Sequence, residues 1–155
     1  MRQALRLTLP ICLGLAAAGA SGPSAAAGRE VLAGPVEAAV ERVVDGDTIA
    51  VRARIWIDQE IAVMVRLRGI DAPEPRGGCA AERALARRAA DFLEAVTGAG
   101  PVTLTEISGD KYYGRVLARV TTAEGRDLAD GLLGLSLARP YDGGERAPWC
   151  GGVGD

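Results

Sequence analysis

No histidine occurs anywhere in the 155 residues. Imidazole is the commonest protein ligand for transition metals, so its absence turns metal chemistry towards hard, oxygen-loving cations such as Ca²⁺ or Mg²⁺. It also excludes every hydrolytic scheme built on a histidine base. Aromatic residues are scarce, with one Phe, two Trp and three Tyr, a thin supply for the stacking platforms that hold single-stranded nucleic acid. A basic excess is missing as well. Eighteen Lys and Arg stand against twenty Asp and Glu, a net charge of −2, which is not the electropositive footprint of a typical nucleic-acid binder. A polyanionic ligand would have to be attracted locally, by particular arginines and a bound cation. The longest apolar run, Leu7 to Ala20, falls short of the roughly 20 residues that a membrane-spanning helix needs.

What is present begins with Arg2 and Arg6 ahead of that apolar run, followed by the small-residue stretches Ala18-Gly19-Ala20 and Ala25-Ala26-Ala27. This order describes a secretory signal peptide over residues 1–27, cleaved after Ala20 or Ala27. Cys12 stands too early to be a lipoprotein cleavage cysteine. The expectation is an exported protein, periplasmic or extracellular, with no membrane attachment after cleavage. Losing residues 1–27 takes away two arginines and no acid, moving the net charge from −2 to −4. It also leaves two cysteines, Cys79 and Cys150. In an oxidising compartment the pair is expected as a disulfide, the alternative being two free thiols.

Residues 28–35 read as a linker rich in Ala, Gly and Pro, and residues 36–150 as one domain of α+β class. Val36 to Val44 is β-like, and Asp45-Gly46 is a hairpin signal because both residues tolerate positive φ. Ile49, Val51, Ala53, Ile55 and Ile57 alternate with polar or bulky neighbours and predict a half-buried strand. Asp58-Gln59 predicts the next turn, and Ile61 to Arg68 a third strand. Ala80 to Val96 predicts a helix with Leu85, Ala89, Phe92, Leu93 and Val96 on one face, stopped by Thr97-Gly98. Val102 to Ile107 and Val116 to Thr122 predict two more strands, and Asp127 to Leu137 a second helix. Five strands with two to three helices suggest a small OB-type barrel.

Two short stretches carry the chemistry. Asp45-Gly46-Asp47-Thr48 and Asp71-Ala72-Pro73-Glu74 each place carboxylates at a strand end. Alone, the first is explained by turn chemistry and the second by a solvated strand exit; together they offer oxygen ligands to one cation. Arginines alternating with aliphatics usually form a solvated face, the expectation for Arg52, Arg54 and Arg68. Arg66 shares a face with Arg68, so periodicity does not single it out. Lys111-Tyr112-Tyr113-Gly114-Arg115 is either an ordinary turn before a strand or a second guanidinium aimed at the same site, where two arginines could clamp a phosphate.

Asp-Gly-Asp-Thr, Arg-x-x-x-x-Asp-x-Pro-Glu and Tyr-Gly-Arg, in this order, resemble the staphylococcal nuclease (thermonuclease) family over about Val36 to Tyr141. The resemblance implies a five-stranded OB-type barrel and a Ca²⁺-dependent nuclease that hydrolyses the phosphodiester bonds of DNA and/or RNA. By resemblance Asp47, Asp71 and the backbone carbonyl of Ala72 hold Ca²⁺, and Glu74 activates water. Arg66 and Arg115 bind phosphate, and Tyr113 and Tyr141 line the nucleotide pocket. A monomer without a stable protein partner is expected. Ala72 replaces the family's Thr, one residue is inserted at Tyr112-Tyr113, and the final helix is largely absent, its end secured instead by a Cys79–Cys150 bridge. The competing expectations are a catalytically inactive OB-type module that binds nucleic acid, and a calcium-stabilised envelope domain.

Overall fold

In the computed structural model, which describes residues 30–98 and 100–151, alternating apolar residues build a closed barrel. The signal-peptide reading lies outside these residues. The strands are β1 (Val31–Leu32), β2 (Val36–Val43), β3 (Thr48–Trp56), β4 (Gln59–Leu67) and β5 (Ile70–Asp71). Helix α1 (Ala80–Thr97) follows, then β6 (Val102–Gly109), β7 (Arg115–Thr122), α2 (Leu128–Gly134) and β8 (Arg139–Pro140). The barrel closes in the order β2, β3, β4, β7, β6 and back to β2, with only β4–β7 parallel. The five-stranded barrel is the architecture expected from the sequence, with two helices. Val31 and Leu32, in the stretch read as linker, pair with Ser108 and Ile107 at the edge of β6.

The core takes Ile49, Val51 and Ala53 from β3, Val65 and Leu67 from β4, and Val102, Leu104, Ala118 and Val120 from β6 and β7. Ala89 and Leu93 of α1 and Leu128 and Leu132 of α2 close its ends. Leu93 is fully buried, and truncating such a side chain to Ala costs about 2–5 kcal/mol. The alternation in β3 outruns the core: Ile55 and Ile57 are exposed, because the β3–β4 hairpin extends past the barrel. The buried stripe of α1 also differs from the predicted face. Ala86 and Thr97 are buried, while Leu85, Phe92 and Val96 are half-buried at its margin.

Two glycines set the geometry near the site. Asp45-Gly46 does lie between β2 and β3, but neither residue has a positive φ. Gly46 is required for close approach, since a Cβ there would stand 2.9 Å from the Cβ atoms of both Ala72 and Ala89. Contact this tight wedges the turn between the Asp71–Glu74 loop and α1. At Gly77 a Cβ would meet the Glu82 carboxyl carbon at 2.1 Å, so the chain must pass directly over that side chain.

Candidate nucleic-acid active site

Asp47 ends the β2–β3 turn with its amide donating to Asp45 Oδ1 at 3.1 Å, an Asx turn that explains Asp45. Leu67 N–H donates to the Asp47 carbonyl at 2.8 Å, which fastens the turn to β4. Register places Thr48 opposite Arg66, and the Arg66 guanidinium therefore reaches the acids at both strand ends. Its Nη1 donates to Asp47 Oδ1 at 2.5 Å, while Nη2 lies 3.7 Å from Asp71 Oδ1 and donates to the Ile70 carbonyl at 3.4 Å. Asp47, Arg66 and Asp71 are 3 %, 6 % and 4 % exposed. Arg68, on the same strand face, is only half-buried and spends its donors on the Glu106 carbonyl and Ser108 Oγ, both at 2.7 Å.

Burial pushes the Asp47 carboxyl up to about 6, against the opposing pull of Arg66 and of hydrogen bonds from Ala72 N–H and Thr48. Asp71 Oδ2 accepts from Trp149 Nε1 at 3.2 Å, whereas Asp71 Oδ1 is buried with no hydrogen-bond partner. A buried carboxylate oxygen without an aligned donor is costly unless positive charge serves it, and here Arg146 Nε at 3.1 Å and Arg66 Nη2 at 3.7 Å supply that charge. The carboxylate oxygens of Asp47 and Asp71 are hard ligands, the type that Ca²⁺ prefers. By the chemistry of their ligand atoms Asp47 and Asp71 suit a hard divalent cation, which would share Asp71 with Arg66 and Arg146. Glu74 does not join the two acids in a tight triplet. Among the described residues, Cys79, Glu82 and Cys150 form the only group of three metal-capable side chains with ligand atoms within 4.8 Å. That group holds the Cys79–Cys150 disulfide, with Cα atoms 6.0 Å apart.

Glu74 stands half-exposed at the rim. Its backbone amide donates to Glu82 Oε1 at 3.3 Å, and Gly78 N–H donates to Glu82 Oε2 at 3.0 Å. Glu82, in the first turn of α1, thereby satisfies amide groups of the loop that carries Glu74.

Arg115 opens β7 opposite Met64 of the parallel strand β4. Its Nε pairs with Asp110, and its guanidinium lies 4.6 Å from the centre of the Tyr112 ring. Partial burial works to raise the Asp110 carboxyl, but the Lys111 amide and Arg115 outweigh it and hold the group below its ordinary value. Arg66 and Arg115 line one cleft of about 880 Å³, together with Lys111, Tyr141 and Arg146. Arg115, after the expected insertion at Tyr112-Tyr113, thus lies on the same cleft as Arg66. Tyr113 is fully exposed and is not among the cleft's lining residues; the tyrosine that touches Arg115 is Tyr112.

Arg146, Arg139, Trp149, Glu82 and Asp110 were not singled out by sequence reasoning. For Arg146 and Trp149 the available signal was the Cys79–Cys150 pairing, which obliges the tail to return to the start of α1 beside Asp71 and Glu74.

No helix among the described residues is long and apolar enough to cross a membrane. A family model described as staphylococcal nuclease homologue matches residues 64–147, more than half of the chain. That span holds Arg66, Asp71, Glu74, Arg115, Tyr141 and Arg146, while Asp47 lies ahead of it. No curated protein is matched by the chain. The family match and the closed barrel agree with a nuclease-like, nucleic-acid-binding module, and the chain belongs to the staphylococcal nuclease homologue family.

Proposed function

We propose that this chain is an exported, Ca²⁺-dependent nuclease that hydrolyses phosphodiester bonds of DNA and/or RNA. The observation that carries the reading is the buried Asp47–Arg66–Asp71 cluster beside an arginine-lined cleft. Buried charges are costly, and perturbed, cleft-facing ionisable groups concentrate at functional sites.

Asp47, Asp71 and the Ala72 carbonyl would hold the cation, which when bound supplies Lewis-acid polarisation of a phosphoryl oxygen and orients water. Glu74 takes the proton from the attacking water; its half-exposed carboxylate can reach solvent without the desolvation that burdens Asp47. Arg115 offers the guanidinium nitrogens not paired with Asp110 to the phosphate, where added negative charge develops as water bonds to phosphorus. Arg66 fixes the two buried acids in relation to each other and contributes positive charge at the cleft wall. Tyr141 lines the same cleft and is the one aromatic that does so among the described residues. A non-catalytic barrel that held bases by stacking would need more.

Cleavage of single-stranded DNA, double-stranded DNA and RNA by the purified mature protein, in Ca²⁺ and in EGTA, tests the reading. Cleavage in Ca²⁺ that stops in EGTA is expected. Tight binding of nucleic acid without cleavage would instead make the chain a binding module.

A further inference from the structure

Residues 142–150 contain no helix or strand, yet they are fastened at several points. Cys150 is bonded to Cys79 at the start of α1. Trp149 donates to Asp71. The Arg139 guanidinium donates to the carbonyls of Ala147 and Pro148 at 3.1 and 3.2 Å and lies 3.5 Å from the centre of the Trp149 ring. At the other end, Tyr141 Oη donates to the Gly144 carbonyl at 2.7 Å. The segment is a strap closed by a disulfide.

Arg146 is what the strap brings to the site. It lines both the main cleft and a second of about 330 Å³ that contains Asp71, Glu74 and the disulfide end of the strap. Its Nε lies 3.1 Å from Asp71 Oδ1, and its Nη1 donates to Glu74 Oε1 at 3.0 Å. Its Nη2 makes no hydrogen bond among the described residues. Partial burial opposes its charge, but Asp71, Asp47 and Glu74 hold its pKa above the ordinary arginine value. Half-exposed ion pairs such as Arg146–Glu74 add little to stability. A strap anchored this heavily is better explained by where it places a guanidinium than by the strength of that pair.

We propose that Arg146 is a third phosphate-binding arginine of the site, positioned by the disulfide-closed strap to receive the backbone of a nucleic-acid strand between the carboxylates and Arg115. The proposal deepens the nuclease reading and rests on it. A planar fork with one arm on the acids and another free suits a phosphodiester oxygen. In the resting protein the same guanidinium neutralises Asp71 and Glu74, so the approaching phosphate meets acids already partly screened.

The test is fluorescence anisotropy of a labelled single-stranded oligodeoxynucleotide in EGTA, with Arg146→Ala, Arg146→Lys and, as a charge control on the distant β3–β4 hairpin, Arg54→Ala. Losing a charged hydrogen-bond donor predicts roughly 10- to 100-fold weaker binding for Arg146→Ala. Arg146→Lys, which keeps charge without the fork, should fall between Arg146→Ala and the wild type, and Arg54→Ala should stay within about twofold of the wild type by comparison. Reducing the Cys79–Cys150 bond should weaken binding by the wild type and leave Arg146→Ala unchanged. Arg146→Ala binding as well as Arg54→Ala, or no oligonucleotide binding by the wild type, overturns the proposal. If Arg146→Ala fails to fold, Arg146→Lys and the reduced wild type carry the test. A wild type that binds through Arg146 but cleaves nothing in Ca²⁺ would sink the nuclease reading and leave the phosphate-binding role standing.

Discussion

Replacing Arg66 with Met tests whether the buried cluster is held together as described. Methionine keeps much of the arginine stem's bulk and removes the guanidinium that lies 2.5 Å from Asp47 and 3.7 Å from Asp71. Both acid side chains are almost fully buried; Asp71 keeps Arg146 at 3.1 Å, but Asp47 cannot recover its lost partner from water. Stripping one member from a buried ion pair costs about 3–5 kcal/mol, because the remaining charge is left uncompensated. Urea unfolding in EGTA at pH 7 measures the loss without interference from a bound cation. Two further outcomes follow from the same cause. At pH 5 the penalty should shrink, since Asp47, already raised by burial and now lacking Arg66, keeps its proton in the folded chain. Adding Asp47→Asn should restore part of the stability, so that the two substitutions are strongly non-additive. A loss below about 1 kcal/mol, the range of exposed pairs, or strict additivity with Asp47→Asn would refute the account of the cluster.

Three other outcomes are expected. Glu74→Gln should unfold at nearly the wild-type urea concentration, since Glu74 is half-exposed, while turnover falls by about 10²–10⁴-fold with loss of a general base; near-normal turnover would remove Glu74 from that role. In the metal-free wild type, the folded chain keeps the Asp47 proton between the ordinary carboxylate value of 3.8 and about 6, where the unfolded chain has released it. That group therefore makes stability fall as pH rises through this window, and Asp47→Asn should flatten the slope in a pH series of unfolding curves. Reduction of Cys79–Cys150, which spans 71 residues, should lower stability by roughly 4 kcal/mol on the chain-entropy model; urea midpoints that agree with and without reductant would contradict the bridge's contribution.

The barrel was legible because period-two alternation in β3 is the direct signature of one buried strand face, and turn residues bounded the apolar segments that became β4, β6 and β7. The pattern misled where it continued without a core to face: Ile55 and Ile57 keep the alternation and lie in solvent. Asp45-Gly46 marked the right turn for another reason than the one the residue types suggest, since crowding by Ala72 and Ala89, distant in sequence, is what demands a glycine. Arg66 and Arg68 share strand parity, and only the fold separates them. The first meets Asp47 and Asp71 from two other segments; the second meets the backbone of β6. Tyr112 and Tyr113 were indistinguishable within the β6–β7 loop, whose conformation no period governs. Arg146 was hidden most deeply, because its position depends on a disulfide closed across 71 residues and on Arg139 and Trp149 gripping an irregular strap.

Titrating Ca²⁺ into a DNA-cleavage assay of the wild type beside Asp71→Asn reads out whether Asp47 and Asp71 make a hard-cation site on which strand cleavage depends. Cleavage should rise with Ca²⁺, disappear in EGTA, and need at least about tenfold more Ca²⁺ once the Asp71 carboxylate is gone. Undiminished cleavage in EGTA, or identical Ca²⁺ dependence for the two proteins, would contradict that role of the two acids.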